Sequence, residues 1–379
     1  MNPLNPKHIL FLSSWYPSRV SKFAGDFIQR HAMAASERNQ ITVLHAAKDD
    51  SMDTNYEIVE NQGEIREVIV YFKGSFFRPF NLIKRFLAFH KGYKKISEVD
   101  LIHLNVVFPA GVYALYLKWF KNKKYVLTEH WTGLHAERFA EINFLEKFLI
   151  RNVLKNAEIY LPVSLDLGKS MQAISPNSKM EVIPNVVDTN RFQIFTDSEN
   201  SSTIRFFHIS MLREEHKNIS GMLRVAKRLA EDRFDFEFHI GGNGPLESIE
   251  KFILENKLEK QIQTFGTLSH KEVADKMAKY DCFILFSNYE NQPCVQIEAF
   301  SSGISFIGTE VGGISEFLPK DFGILIPKGD EEALYQAMRS VCEGKSFASK
   351  QEMHDYAVEN FSKEVISIKF DKIYNRILN

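Results

Sequence analysis

Glu290 and Glu298 bracket the segment Glu290-Asn-Gln-Pro-Cys-Val-Gln-Ile-Glu298, with seven residues between them. An ionised carboxylate only accepts hydrogen bonds and can take two hydroxyls at once, so such a pair suits a neutral, hydroxyl-rich ligand. Upstream, Arg213 and Lys217 stand in Ser210-Met-Leu-Arg-Glu-Glu-His-Lys-Asn218, just ahead of a helical pattern. Two cations beside helix N-terminal amides suit a diphosphate. Each feature has a plainer reading when taken singly. Two Glu eight apart occur by chance in soluble helices, and Arg213 and Lys217 can pair at the surface with Glu214 and Glu215.

Glycines supply a second kind of candidate. Gly241-Gly-Asn-Gly244 follows an apolar run, and Gly242 and Gly244 let a backbone approach a ligand closely. The spacing is not GxGxxG and no Walker A sequence is present, so a nicotinamide dinucleotide site has no support. Ala24-Gly25 precedes a helical pattern, which makes Gly25 a further close-approach position; Val311-Gly-Gly313 leads to Glu316. Thr128-Glu-His130 ends a short apolar run, where His130 can donate to or accept from a substrate hydroxyl. There is no HExxH and no defensible Ser/His/Asp set, which leaves a metal site or a hydrolase unsupported. Cys282, Cys294 and Cys342 lack CxxC spacing and imply neither a disulfide framework nor zinc.

These residues need scaffolding, and the chain repeats one pattern to provide it. Apolar runs near 8–12, 41–46, 67–72, 101–104, 125–128, 158–163 and 180–183 alternate with helical stretches, which reads as βα units on a parallel sheet. A polar Ser/Asn/Asp-rich segment at 188–203 reads as a linker. The alternation restarts at 205–210 and continues through 234–240, 262–265, 282–286, 305–308 and 323–326, with Pro245 suited to the first turn of a helix. At 379 residues, two domains are expected: 1–187, then 204–360 beyond the linker. Two such domains leave a cleft onto which the carboxyl ends of both sheets can face. The net charge of −1 hides an asymmetry: 24 Lys/Arg against 18 Asp/Glu in 1–187, and 23 against 30 afterwards. The excess is densest at 71–95, which holds seven Lys/Arg, no acid and many aromatics. No apolar stretch reaches the ~18 residues of a membrane span, and the short run at 9–12 is too short for a signal peptide.

In this order, the elements resemble the GT-B glycosyltransferases of family 4 over nearly the whole chain, most densely from 183 to 326. The resembling segments are Ile183-Pro-Asn-Val-Val-Asp188, Ser210-Met-Leu-Arg213 with Lys217-Asn218, Gly242-Asn-Gly-Pro245, Phe265-Gly-Thr267, the Glu290/Glu298 pair and Val311-Gly-Gly313 with Glu316. The resemblance implies an α/β GT-B fold of two Rossmann-like, doubly wound parallel-sheet domains facing an interdomain cleft. It implies a retaining, metal-independent hexosyltransferase with no cofactor, using a UDP- or GDP-linked sugar donor. In it, Glu290 holds donor sugar hydroxyls, Glu298 the ribose, and Arg213 and Lys217 the leaving diphosphate. Gly25 meets the diphosphate from the first domain, and His130 lies near the reacting centre. The segment 361–379 is expected to be a helix crossing back to the first domain.

Three departures from the family pattern bear on the donor. Asn291-Gln292-Pro293 replaces a frequent Gly-Phe-Gly, so one backbone N–H is missing and Gln292 adds an amide that can choose among sugar hydroxyls. Val186 stands where glycine is frequent, and Ala24-Gly25 keeps one glycine of two. The expected acceptor is a saccharide or lipid-linked saccharide in bacterial surface polysaccharide biosynthesis. The expected location is cytoplasmic, peripheral on the inner face of the plasma membrane, with 71–95 meeting anionic lipid. Nucleic acid is not an expected partner. The competing functions are a non-hydrolysing nucleotide-sugar epimerase and a non-catalytic nucleotide-sugar-binding partner.

Overall fold

The computed structural model describes residues 6–176, 179–195 and 203–379. The chain divides into two compact units, 1–186 with 363–379, and 187–362. The expected linker 188–203 falls partly in the second unit and partly on 196–202, outside the described residues.

The first unit carries β1 (His8–Ser13), α1 (Asp26–Ser36), β2 (Gln40–Lys48), β3 (Tyr56–Gln62), β4 (Arg66–Phe72), α2 (Arg78–Tyr93), β5 (Leu101–Asn105), α3 (Gly111–Lys121), β6 (Tyr125–Glu129), α4 (Ala136–Glu141), α5 (Phe144–Asn156), β7 (Tyr160–Pro162) and α6 (Leu165–Ile174). Its seven strands run in the order β3-β4-β2-β1-β5-β6-β7. Strands β1, β5 and β6 are buried along their whole length, as expected for parallel strands covered on both faces. The antiparallel edge strand β3 is absent from the sequence expectation. Its polar Glu57, Glu60, Asn61 and Gln62 lack the apolar run of a central strand, and an edge tolerates them. The expected strand at 180–183 is reduced to a single bridge from Tyr160 to Met180. Pro162 in β7 has no N–H to extend that ladder.

The second unit carries β8 (Ile204–Met211), α7 (Glu214–Lys217), α8 (Ile219–Glu231), β9 (Phe236–Asn243), α9 (Glu247–Glu255), β10 (Ile262–Phe265), α10 (His270–Met277), β11 (Cys282–Leu285), α11 (Cys294–Ser301), β12 (Ser305–Thr309), β13 (Gly323–Ile326), α12 (Glu331–Cys342) and α13 (Lys350–Phe361). The final helix, α14 (Lys363–Leu378), belongs to the first unit and packs on α1. There Tyr374 shares a 2.6 Å hydrogen bond with His103, and Lys7 Nζ donates to Asn375 Oδ1 at 2.5 Å. Helix α9 begins after Leu246, so Pro245 precedes the helix instead of occupying its first turn.

The second sheet is wholly parallel, in the order β10-β9-β8-β11-β12-β13. Each sheet is covered on both faces by separate apolar clusters. In both, the winding reverses once, between β1 and β5 and between β8 and β11. A reversal leaves a crevice outside the carboxyl ends of the two strands, where open α/β sheets bind ligands.

Candidate active site

In the second unit, the residues after β8 and those after β11 meet at this reversal. Strand β8 ends at Met211, Arg213 caps the one-turn α7, and Asn218 turns in the left-handed region (φ 48°) into α8. Lys217 Nζ donates to Glu290 Oε1, which also accepts from Ser287 Oγ at 2.8 Å. Both charged side chains are largely shielded, at 16% and 11% exposure. The surface pairing of Lys217 with Glu214 or Glu215 does not occur. Glu214 instead accepts from the Ser220 amide at 3.1 and 3.2 Å. One amide of the α8 N-terminus is therefore already engaged by a carboxylate. Arg213 is exposed, and its guanidinium makes no ion pair or hydrogen bond among the described residues.

The loop holding Glu290 is built from beneath. Thr309 Oγ1 donates to Ser287 O at 2.6 Å, and Gly313 N to Asn291 O at 2.7 Å. Gly312 turns at φ 55°, and a Cβ there would lie 1.8 Å from Glu290 O, so only glycine fits under the loop. Asn288 N donates to His216 O at 2.7 Å, which ties this loop to α7. Asn291 and Gln292 are buried, and Glu298 is 3% exposed on α11, so its carboxylate is shielded from solvent. Gln296 Nε2, two residues earlier on that helix, donates to Ile314 O at 2.9 Å. Gly242 lies opposite Ser210 in the β8–β9 register, and Leu212 N donates to Asn243 O at 3.0 Å. This places the loop that runs through Gly244 beside the end of β8.

The first unit carries the remaining candidates in the segments that follow β1 and β6. Gly25 caps α1 in the left-handed region (φ 70°), and a Cβ there would lie 2.7 Å from the carbonyl carbon and oxygen of Trp15. His130 directly follows β6. Its ring packs on Phe27 and His31 with centroids 4.4 and 5.3 Å away. Burial, then the neighbouring His31 and His103, hold its pKa well below the ordinary histidine value, so the ring is neutral at physiological pH.

Sequence reasoning assigned no role to Glu129, Ser287 or Gly312. Glu129 is fully buried. Its carboxylate accepts from the amides of Val107, His130 and Trp131, each at 2.8 Å, and so fixes the backbone on which His130 sits. Burial pushes its pKa up to about 7, against the opposing pull of those amides. Its position inside Thr128-Glu-His130 was the available signal; the amides that surround it were not visible. Among the described residues, no group of three His, Cys, Asp or Glu is placed to hold a metal ion, and no helix is long and apolar enough to cross a membrane.

Residues 203–343 match the family model Glycosyl transferases group 1, and residues 27–191 match Glycosyltransferase Family 4. The sucrose-phosphate synthase of Thermosynechococcus elongatus shares the fold at TM-score 0.80 and 18% identity, covering 98% of this chain and 99% of that one. An Anabaena protein, Alr3699/HepE, in complex with UDP and glucose matches at TM-score 0.73 and 15% identity, over 98% and 100% of the two chains. The 2-deoxystreptamine N-acetyl-D-glucosaminyltransferase of Niallia circulans is 25% identical over 285 residues, 69% of this chain and 71% of its own. The phosphatidylinositol N-acetylglucosaminyltransferase subunit of Arabidopsis thaliana is 24% identical over 206 residues, 54% of this chain; the match spans only 45% of that relative. Fold and family models together define a glycosyltransferase of the GT-B class. Within that class, the chain belongs to family 4.

Proposed function

We propose that the chain is a retaining transferase that moves a hexose from a UDP- or GDP-linked donor to a saccharide or lipid-linked saccharide acceptor. Its setting would be surface polysaccharide assembly at the inner face of the plasma membrane. The observation that carries this reading is the Lys217–Glu290 pair at the sheet reversal, with Arg213 exposed beside it. Cation and carboxylate are the two groups a nucleotide sugar needs, and here they satisfy each other. An arriving diphosphate competes for Lys217 and draws in Arg213. The Glu290 carboxylate is thereby released to accept sugar hydroxyls, while Ser287 keeps it in place. Glu298 takes the ribose hydroxyls, and Asn291 and Gln292 line the sugar side. Gly242 and Gly244 give the nucleotide close access to backbone. No metal is needed in this scheme, since the cations offset the charge of the departing diphosphate.

The reaction runs on one face of the sugar. The bond from the anomeric carbon to the diphosphate breaks, the acceptor oxygen bonds to that carbon, and the leaving phosphate oxygen takes the acceptor proton. His130, neutral, exchanges hydrogen bonds with a donor sugar hydroxyl, and Gly25 offers backbone to the diphosphate.

The names of the relatives make an N-acetylglucosamine donor the first to test. Thermal unfolding with UDP, GDP and their sugar conjugates separates the bases, because a ligand bound to the native state raises its stability. A shift with UDP-N-acetylglucosamine, followed by acceptor-dependent release of UDP and a product of retained configuration, supports the reading. No shift with any nucleotide, or an epimerised donor sugar without acceptor, refutes it.

A further inference from the structure

Exposed large apolar side chains are unevenly spread over the molecule. Among the described residues, Phe76, Phe77 and Phe80 at the start of α2 are 106%, 61% and 53% exposed. Phe144 and Phe148 on α5 stand at 82% and 55%, and Trp119 and Phe120 at the end of α3 at 58% and 72%. Those helices neighbour one another on a single face of the first sheet: α2 packs on α3, and α3 on α5. Their inner sides supply Phe89, Tyr113, Leu117, Val153 and Leu154 to the core. The outer apolar residues are therefore surplus to folding.

Charge on the same helices is one-sided. Counting 78–95, 111–124 and 144–156 gives 6, 4 and 3 Lys/Arg, thirteen in all, against the single acid Glu146. Lys91, Lys94, Lys121, Arg151 and Lys155 are exposed on them. A protein interface core excludes lysine, and a second copy of this face would set like charges against each other. Aromatic residues interleaved with long cations suit a surface whose polar layer is anionic and whose interior is apolar.

We propose that the outer layer formed by α2, α3 and α5 docks on an anionic lipid bilayer. The phenylalanines enter the boundary between headgroups and acyl chains, while the lysines reach lipid phosphates. This extends the membrane contact from 71–95 to a second and third helix. It rests on the proposed function only in giving a lipid-linked acceptor a surface to arrive from.

The test uses the full chain and vesicles of phosphatidylcholine, alone or mixed with phosphatidylglycerol, in a sedimentation assay without any donor. Binding to the anionic vesicles only is expected, weakening as salt is raised and the Debye length falls below ~10 Å. Phe144→Ser with Phe148→Ser, and separately Phe76→Ser with Phe80→Ser, should each lower partitioning at least tenfold. Thermal unfolding of these variants should match the parent, since the replaced side chains are exposed. No sedimentation with anionic vesicles, or equal sedimentation with neutral ones, overturns the proposal. So does unchanged binding of the α5 variant, or a dimer in solution that the same substitutions dissolve. A nucleotide thermal shift that survives in the variants keeps this question apart from the donor reading.

Discussion

Replacing Lys217 by methionine tests whether one side chain serves both the fold and the chemistry. The substitution keeps most of the length and removes the ammonium. The Glu290 carboxylate is left with Ser287 Oγ alone of its two side-chain partners. Breaking a fully buried pair costs about 3–5 kcal/mol, and an exposed pair about 0–1. At 16% and 11% exposure the pair lies nearer the buried limit, but water can reach the orphaned carboxylate. We expect a loss of about 1–3 kcal/mol, which for a unit of this size is roughly 2–12 °C in the unfolding midpoint. Adding Glu290→Gln removes the uncompensated charge, so K217M/E290Q should recover a coupling of about 1–2 kcal/mol in a double-mutant cycle. Activity should behave in the opposite way. K217M should lose ~10²–10³ in kcat/KM, as expected when one charge-stabilising donor is removed. The double variant should recover none of it, because the carboxylate for the sugar is gone as well. Thermal unfolding and donor turnover on the four proteins give both answers. A coupling near zero refutes the structural role of the pair, and K217M turning over at the parental rate refutes its place in the donor site.

Three further outcomes follow from other parts of the structure. Arg213→Ala should leave stability within about 0.5 kcal/mol, because the side chain is exposed and has no partner to lose among the described residues, while kcat/KM falls ~10²–10³; equal activity would remove Arg213 from the site. Gly312→Ala places a methyl where the Glu290 carbonyl stands, so the loop must shift. We expect a loss of about 1–3 kcal/mol and weaker nucleotide binding by thermal shift; parental binding would refute the account of how the loop is held. The third outcome concerns pH. His31 and His45 are pushed down to about 4 by burial, so as pH falls from 6.5 to 4 the unfolded chain gains protons first and stability drops. Glu129, raised from 4.5 to about 7, acts the other way: its contribution is full below pH 4.5 and is lost as pH rises through 7. Glu129→Gln should therefore steepen the loss of stability between pH 6.5 and 4.5, and an unchanged slope in thermal unfolding would show that Glu129 does not titrate there.

Much of this protein could be read from local pattern. Alternating apolar runs and helical stretches identified two parallel sheets, because buried parallel strands need continuous apolar sequence and each crossover needs a helix. The types of Arg213, Lys217, Glu290 and Glu298 raised the expectation of a phosphate-and-hydroxyl site, since charge and hydrogen-bonding capacity belong to the residue itself. Local pattern stopped at the edge strand β3, whose polar residues read as loop, and at 180–183, where Pro162 in the neighbouring strand interrupts the pairing.

Partnership was decided only by the tertiary structure. Lys217 and Glu290 are 73 residues apart and meet because the sheet order sets β11 next to β8. Gly312 supports Glu290, and Glu129 gathers the amides of Val107, His130 and Trp131, through contacts that no periodicity encodes. The sequence by itself determined which groups this protein has and which strands and helices can carry them. Their burial, and hence whether a glutamate is a solvated charge or a shielded one, depends on the strands the chain sets side by side.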